Sequence, residues 1–514
     1  MLSVHAFEEL CDKTRALISS PRFIVWVIPL IITLRLLSSS PADPDLFARV
    51  AMGHLTLSHA TVPLTDPFAF TKTLPMWVDH EWLSGVIFYL VASATGDAGL
   101  IVLRGILAIL ATLSVICAST RVTPSFGSRF VWVTMCLLHS AAAWSSAVRC
   151  QAFTYLFIPL LYWAIIEYRK SGTAIWLALT PLMGIAWVNM HGGYALGCII
   201  IGLFCVTEAY EKRLTKTPVF VAIGWAIAPL FTPYGFKAFV TFLVGSLGME
   251  RPGIAEWEPL HVDQLSFALT ILLSLPLAYG MLALRKQRDL FTVGITFLSA
   301  YCAFRHIRFL PFFMITAATF GGPYVQATVA RLRELRPSLF VALTRSGSCV
   351  VLVMCAVGSA SLLVRLCSKT SYQLNLSAFP VSAVEWLRDN QVSGRLLVDF
   401  NMGSFAMWRL YPNFKISVDG RYEEAYPQET VTQNALAFNP ATPEGVAALE
   451  KINPTHILVF TPPKMPTAPL SFGDEWKPIY QDSRATILSR DSQGAVATSS
   501  NYAETPPDMW EPRF

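Results

Sequence analysis

Long apolar runs separated by short polar turns fill residues 24 to 370, whereas from about Asn375 the pattern changes to short strands alternating with amphipathic helices. A helix needs about 20 apolar residues to cross a bilayer. Runs near that length begin at Ile24, Gly99, Phe130, Gln151, Ala174, Gly192, Pro218, Leu265, Asp289, Arg308 and Ser348. A further run, Trp82 to Thr95, has roughly 14 residues, short for a span, and is expected to dip in as a re-entrant or interfacial helix. The pattern predicts a polytopic α-helical membrane protein of about 11 to 13 transmembrane helices, followed by a small C-terminal α/β soluble domain.

In that domain an amphipathic helix around Ala383 to Asp389 precedes a strand Arg395 to Asp399, a helix Phe405 to Leu410 and a strand Lys415 to Asp419. A helix Gly445 to Lys451, a strand His456 to Phe460 and a hairpin of Pro478 to Tyr480 with Ala485 to Leu488 complete it. The expected organisation is a cytoplasmic N-terminus over 1–23, a membrane domain over 24–370 with a large first outer loop at 41–81, and the α/β domain over 375–492. The Ser, Pro and Thr-rich stretch 493–514 is expected to be a disordered tail.

Composition agrees with a bilayer protein: 54% of the 514 residues are hydrophobic and 14% charged. The net charge of +5 comes from short clusters between apolar runs, which excludes a nucleic-acid surface. The clusters Arg169-Lys170, Lys212-Arg213, Arg285-Lys286-Arg288 and Arg331-Arg333-Arg336 share one parity with the N-terminus, and eleven crossings place them all in the cytoplasm. The expected location is the cytoplasmic (inner) membrane, with the α/β domain extracytoplasmic. None of the ten cysteines falls in that domain, so no disulfide framework or CxxC metal site is indicated. Apolar sequence follows Arg22 without a small-residue cleavage site, which predicts a retained first span.

Nearly all the unusual polar residues then fall on the outer face. Asp43 and Asp45 follow the first span at the membrane surface, where carboxylates suit base work, although an Asp-Pro pair also ends helices in ordinary turns. Arg149, Arg305 and Arg308 are cations in short outer loops against the positive-inside bias, suited to a phosphate or, equally, to snorkelling at the interface. Asn189 and His191 sit in a tight turn before Gly192-Gly193, for ligand binding or for bonding across the helix pair. Arg35 and Arg104 interrupt apolar runs. Glu256 and Glu258 flank Trp257 in a loop able to cover a site. Asp419 and Arg421 follow a predicted strand, where open α/β sheets place ligands, yet Asp-Gly is also a common turn. Nucleotide-binding glycine motifs are absent.

The run Asp43-Pro-Asp-Leu-Phe-Ala-Arg-Val-Ala-Met-Gly-His, with Pro63-Leu-Thr-Asp-Pro-Phe and Trp77-Val-Asp-His-Glu-Trp-Leu, resembles the first outer loop of bacterial GT-C membrane glycosyltransferases, which use lipid-linked sugars. Arg149-Cys-Gln-Ala-Phe-Thr, Trp187-Val-Asn-Met-His-Gly-Gly, Thr232-Pro-Tyr-Gly, Asp399-Phe-Asn-Met-Gly-Ser-Phe and Val418-Asp-Gly-Arg extend the resemblance over most of the chain. It implies a catalytic carboxylate at Asp45, with Asp43 second, and a substrate-binding role for His80 and Glu81. Asp79-His80-Glu81 departs from the His-Pro-Pro-Leu type of motif common in the class. The implied activity is transfer of a sugar from a polyprenyl-phosphate donor to a glycan, lipid or protein acceptor, with a divalent metal as an open requirement. A transporter and a non-catalytic assembly scaffold on the same fold are the competing functions.

Overall fold

The computed structural model describes residues 40–123, 127–144, 148–248, 251, 254–286, 288–338, 372–461, 471–490 and 496–498, with parts of 357–367 and 506–514. The expected span from Ile24, segment 1–23, Arg35 and most of the span from Ser348 lie outside the described residues.

The loop expected over 41–81 is itself structured. Asp43 caps helix α1 (Pro44–His59): its side chain accepts from the backbone N–H of Asp45 at 2.9 Å, Pro44 stands at the first turn, and Asp45 adds an acid there. The Asp-Pro pair therefore starts a helix. Helix α2 (Trp82–Val122) joins the expected short Trp82 run to the expected Gly99 span. The join is a break at Gly96, whose φ of 63° and ψ of −154° suit a residue without Cβ.

The other expected segments fall on α3 (Gly127–Trp144), α4 (Gln151–Ser171), α5 (Ile175–Ala178) with α6 (Thr180–Met190), α7 (Tyr194–Tyr210), α8 (Lys216–Ile227) with α9 (Gly235–Gly248), α10 (Leu265–Ala283), α11 (Leu290–Arg305), and α12 (Leu310–Phe320) with α13 (Gly322–Leu335). Among the described residues, length and apolarity mark only α2 and α10 as able to cross a membrane unaided, and a third span if the pair Lys216–Phe231 and Gly235–Ser246, bent by 101°, counts as one. Several others are short apolar helices of 10–17 residues, because polar turns such as Asn189–Gly193 interrupt them. The structure thus gives a mostly helical protein with a few long apolar helices and does not display eleven full-length spans.

One end of the bundle is tied by ion pairs. Arg169 of α4 holds Glu208 of α7 at 2.5 Å and Asp289, the cap of α11, at 3.0 Å, while Arg121 of α2 pairs with Glu167 of α4. The opposite end carries the starts of α2 and α4, the Asn189–Gly193 turn and the Ile307–Phe309 turn.

The C-terminal domain packs α14 (Val381–Asp389), α15 (Phe400–Leu410), α16 (Gln428–Ala437) and α17 (Pro443–Ile452) against a six-stranded sheet. Its strands are β1 (Gly394–Leu397), β2 (Phe414–Ile416), β3 (His456–Phe460), β4 (Lys477–Gln481), β5 (Ala485–Ser489) and β6 (Ala497–Thr498), in the order β2-β1-β3-β5-β4-β6. The first three are parallel and linked through helices, and β4 and β5 form the expected hairpin. The membrane domain and this sheet share one structure. Ile416 of β2 donates to the Phe68 carbonyl at 3.1 Å and accepts from the Phe70 N–H at 3.1 Å, so the first loop extends the sheet edge. The stretch expected to be a disordered tail also contributes: β6 joins the sheet, Met509 and Trp510 are buried, and Trp510 Nε1 donates to Asp97 at 2.7 Å.

Candidate functional site

A cavity of about 890 Å³ lies between one end of the bundle and the C-terminal domain. Helix α1 sets its acidic wall. Asp43 and Asp45 flank Pro44, and Arg49 follows Asp45 by four residues, which puts it on the same helix face one turn on.

Asp43 is buried and paired with the Arg149 guanidinium. Asp45 is half-buried and lines the cavity, and among the described residues its carboxylate takes part in no hydrogen bond or ion pair. Its Oδ1 rests against Gly420, where a Cβ would collide with it. Burial, with Asp43 beside it, pushes the Asp45 carboxyl up to about 8.

Behind them Arg49 gathers three carboxylates. Its Nη1 donates to Asp79 at 2.5 Å and to Glu424 at 2.9 Å, its Nη2 donates to Glu424 at 2.8 Å, and its Nε lies 2.9 Å from Glu81. His80 Nδ1 is 2.9 Å from Glu424. Despite burial, Glu424 and Glu81 draw His80 up to about 9, while Arg49 and His80 hold Glu424 down at about 2. His191 behaves oppositely. Its Nδ1 accepts the Gly193 N–H at 2.8 Å, leaving Nε2 as the protonated nitrogen facing Glu81 at 3.5 Å, and burial lowers its pKa to about 4.

Next to Asp43 the lining turns cationic. Arg149 Nη1 donates to Glu256 at 2.8 Å, Arg308 Nη1 lies 3.4 Å from the same carboxylate, and Arg251 pairs with Glu423. Arg251 and Arg308 each stack on Trp257, 4.1 Å from its ring centre.

One oxygen or nitrogen from each of Asp79, His80 and Glu424 lies within 4.8 Å of the others, a spacing that suits metal ligands. The chemistry does not suit a divalent ion. Arg49 already contacts both carboxylates, and His80 is held protonated at neutral pH, so a dication there would meet two resident positive charges.

Of the residues expected from sequence, the cavity brings together Asp43, Asp45, His80, Glu81, Arg104, Arg149, His191, Glu256, Arg308 and Arg421. Asn189 is set aside: its Oδ1 accepts from Trp82 Nε1 at 2.8 Å and its amide donates to the Ile185 and Phe231 carbonyls, so it fastens α2 to α6. Arg305 is exposed at the end of α11, away from the cavity lining. Asp419 is fully buried, accepting from Arg421 at 2.6 Å and from the Tyr426 hydroxyl at 2.9 Å. Arg421 also pairs with Asp66 and lies 4.6 Å over the Trp77 ring, so this pair bolts the first loop to the C-terminal domain. Sequence reasoning passed over Arg49, Arg251, Glu423 and Glu424. The Asp43-Pro44 helix start followed by Arg49 one turn later was the available signal for the first, whereas the contacts of the other three are made across the fold.

No protein-family profile matches the chain, and no curated protein matches it. Among solved structures the chain is similar to the crystal structure of the Archaeoglobus fulgidus oligosaccharyltransferase in complex with Zn and sulfate, at 12% identity and a TM-score of 0.46, over 84% of this chain and 67% of that one. A likeness of that size leaves the site to be read from its own geometry.

Proposed function

We propose that the protein transfers a sugar from a polyprenyl-phosphate donor to an acceptor on the outer face of the cytoplasmic membrane. The observation that carries this reading is Asp45: a carboxylate unpaired among the described residues, raised to about 8, in a cavity that Arg149 and Arg308 also line.

Asp45 takes the proton of the acceptor hydroxyl or amide, and the freed electron pair attacks the anomeric carbon of the donor sugar. The bond from that carbon to the phosphate oxygen breaks, and its electrons leave on the lipid phosphate, where Arg149 and Arg308 stabilise the charge. Ion pairing of Asp43 with Arg149 leaves Asp45 as the carboxylate available for the proton. Trp257 and the C-terminal domain wall off water, which limits donor hydrolysis. Basic residues at the other end of the bundle support the outward assignment of this face.

The test is sugar release from radiolabelled polyprenyl-phosphate sugars by the purified protein in lipid, with acceptor mixtures present. Wild type should release sugar and folded Asp45→Asn should not. Absence of release from every donor would defeat the transferase reading, and a phenotype untouched by Asp45→Asn would point to an assembly role.

A further inference from the structure

Glu256 bridges two guanidiniums, with Oε2 accepting from Arg149 Nη1 at 2.8 Å and Oε1 lying 3.4 Å from Arg308 Nη1. One anion spanning two guanidinium edges is also the way a phosphate group is held. The cations do not depend on Glu256 for their positions. Arg149 is fixed by Asp43, and Arg308 lies face-on over Trp257 at 4.1 Å, a contact that occupies its face and leaves its N–H edge for an anion.

The backbone next to Glu256 is fixed as well. His306 Nδ1 lies 2.5 Å from the Trp257 carbonyl, and the Ile307 N–H donates to the Glu258 carbonyl at 2.9 Å, which ties this loop to the turn that carries Arg308. The Glu256 side chain is different. It is 33% exposed and turns about three bonds, so it can leave without moving the loop.

We infer that Arg149 and Arg308 form a phosphate seat in which Glu256 sits as a resident counter-ion, and that an arriving phosphate group displaces the Glu256 side chain. The identity of that phosphate as lipid-linked rests on the proposed function. The seat itself rests on the two guanidiniums and the carboxylate between them. Glu256 therefore competes with the ligand, and neutralising it should tighten binding.

The experiment titrates full-length wild type, Glu256→Gln, Glu256→Asp and Arg308→Gln, in nanodiscs, with inorganic phosphate and separately with polyprenyl phosphate. The expected result is a Kd about tenfold lower for Glu256→Gln and a higher Kd for Arg308→Gln. A gain for both probes means that the phosphate group alone is recognised, and a gain confined to polyprenyl phosphate identifies the lipid headgroup as the source. Glu256→Asp, a methylene too short to span both cations, should also bind more tightly and serves if the glutamine variant fails to fold. Unchanged or weaker binding of both probes by either folded Glu256 variant overturns the seat and makes Glu256 a structural tie. If sugar transfer is never seen but the gain in phosphate affinity is, the proposed function fails and the seat stands. Transfer without any gain has the reverse meaning.

Discussion

Arg49 of helix α1 grips Glu424 of the C-terminal domain through two hydrogen bonds, of 2.9 and 2.8 Å, between residues 375 apart in sequence. Asp79 and Glu81 close on the same guanidinium, so one cation holds together three segments and forms the floor of the cavity beneath Asp45. Burial makes the arrangement unforgiving, because carboxylates stripped of their partner have no water to turn to.

Arg49→Met should therefore cost about 3–5 kcal/mol of stability, the cost of leaving buried charges uncompensated. Glu424→Gln should cost less, since Arg49 keeps Asp79 and Glu81. Denaturant unfolding in detergent of the two variants checks the order. Equal costs would mean that Glu424, and not the carboxylate cluster, is the partner that matters.

Asp45 predicts the pH profile. A base must be deprotonated to work, and this carboxyl is raised to about 8, so kcat/KM for sugar transfer should climb with pH and level off above about 8. Folded Asp45→Asn should lose at least about 100-fold, within the usual range for a general base, and should no longer show the rise. A rise that survives the substitution would assign the titration to another group.

Sequence periodicity located the helices and most of the C-terminal sheet, because both depend on local patterns of apolar residues. It misjudged how the helices join: a run such as Trp82 to Thr95 looks complete in itself, and its continuation through Gly96 depends on a backbone conformation that spacing does not encode. That Asp43, Asp45, Arg149 and Arg308 gather at one end of the bundle was legible because acids and arginines stand out at the ends of apolar runs. Arg49 and Glu424 were not, since their meaning is a long-range pair. Asp419 and Arg421 show the converse, a conspicuous motif whose charges are satisfied by one another and by Asp66.

Gly53 of α1 and Gly85 of α2 meet backbone to backbone, and a Cβ on either would collide with the carbonyl side of the other helix. This close crossing sets how far Arg49 reaches toward Asp79 and Glu81. Gly85→Ala should push the helices apart and lower sugar transfer at least about tenfold with unchanged donor chemistry, whereas Gly105→Ala, with open space around it, should be silent. Equal activity in the two alanine variants would show that the crossing tolerates expansion.

His80 gives the contact between the domains a pH dependence. Its pairing with Glu424 raises its pKa from 6.5 to about 9, so the folded state binds this proton more tightly than the unfolded state does. The stabilisation is then complete below about pH 6.5 and is lost as pH rises through about 9. Glu424, held at about 2, keeps its charge across that whole window and is not the titrating partner. Asp45, raised to about 8, and Asp79, raised to about 6, also make stability fall as pH rises, so the wild-type curve alone mixes three groups. Subtracting the unfolding free energy of His80→Asn from that of wild type at each pH removes the Asp45 contribution and most of the Asp79 one. The difference should be flat between about pH 5 and 6.5 and should shrink steadily up to about pH 9. A difference that stays constant to pH 9 would mean that His80 is neutral in the folded protein and meets Glu424 only as a hydrogen-bond donor.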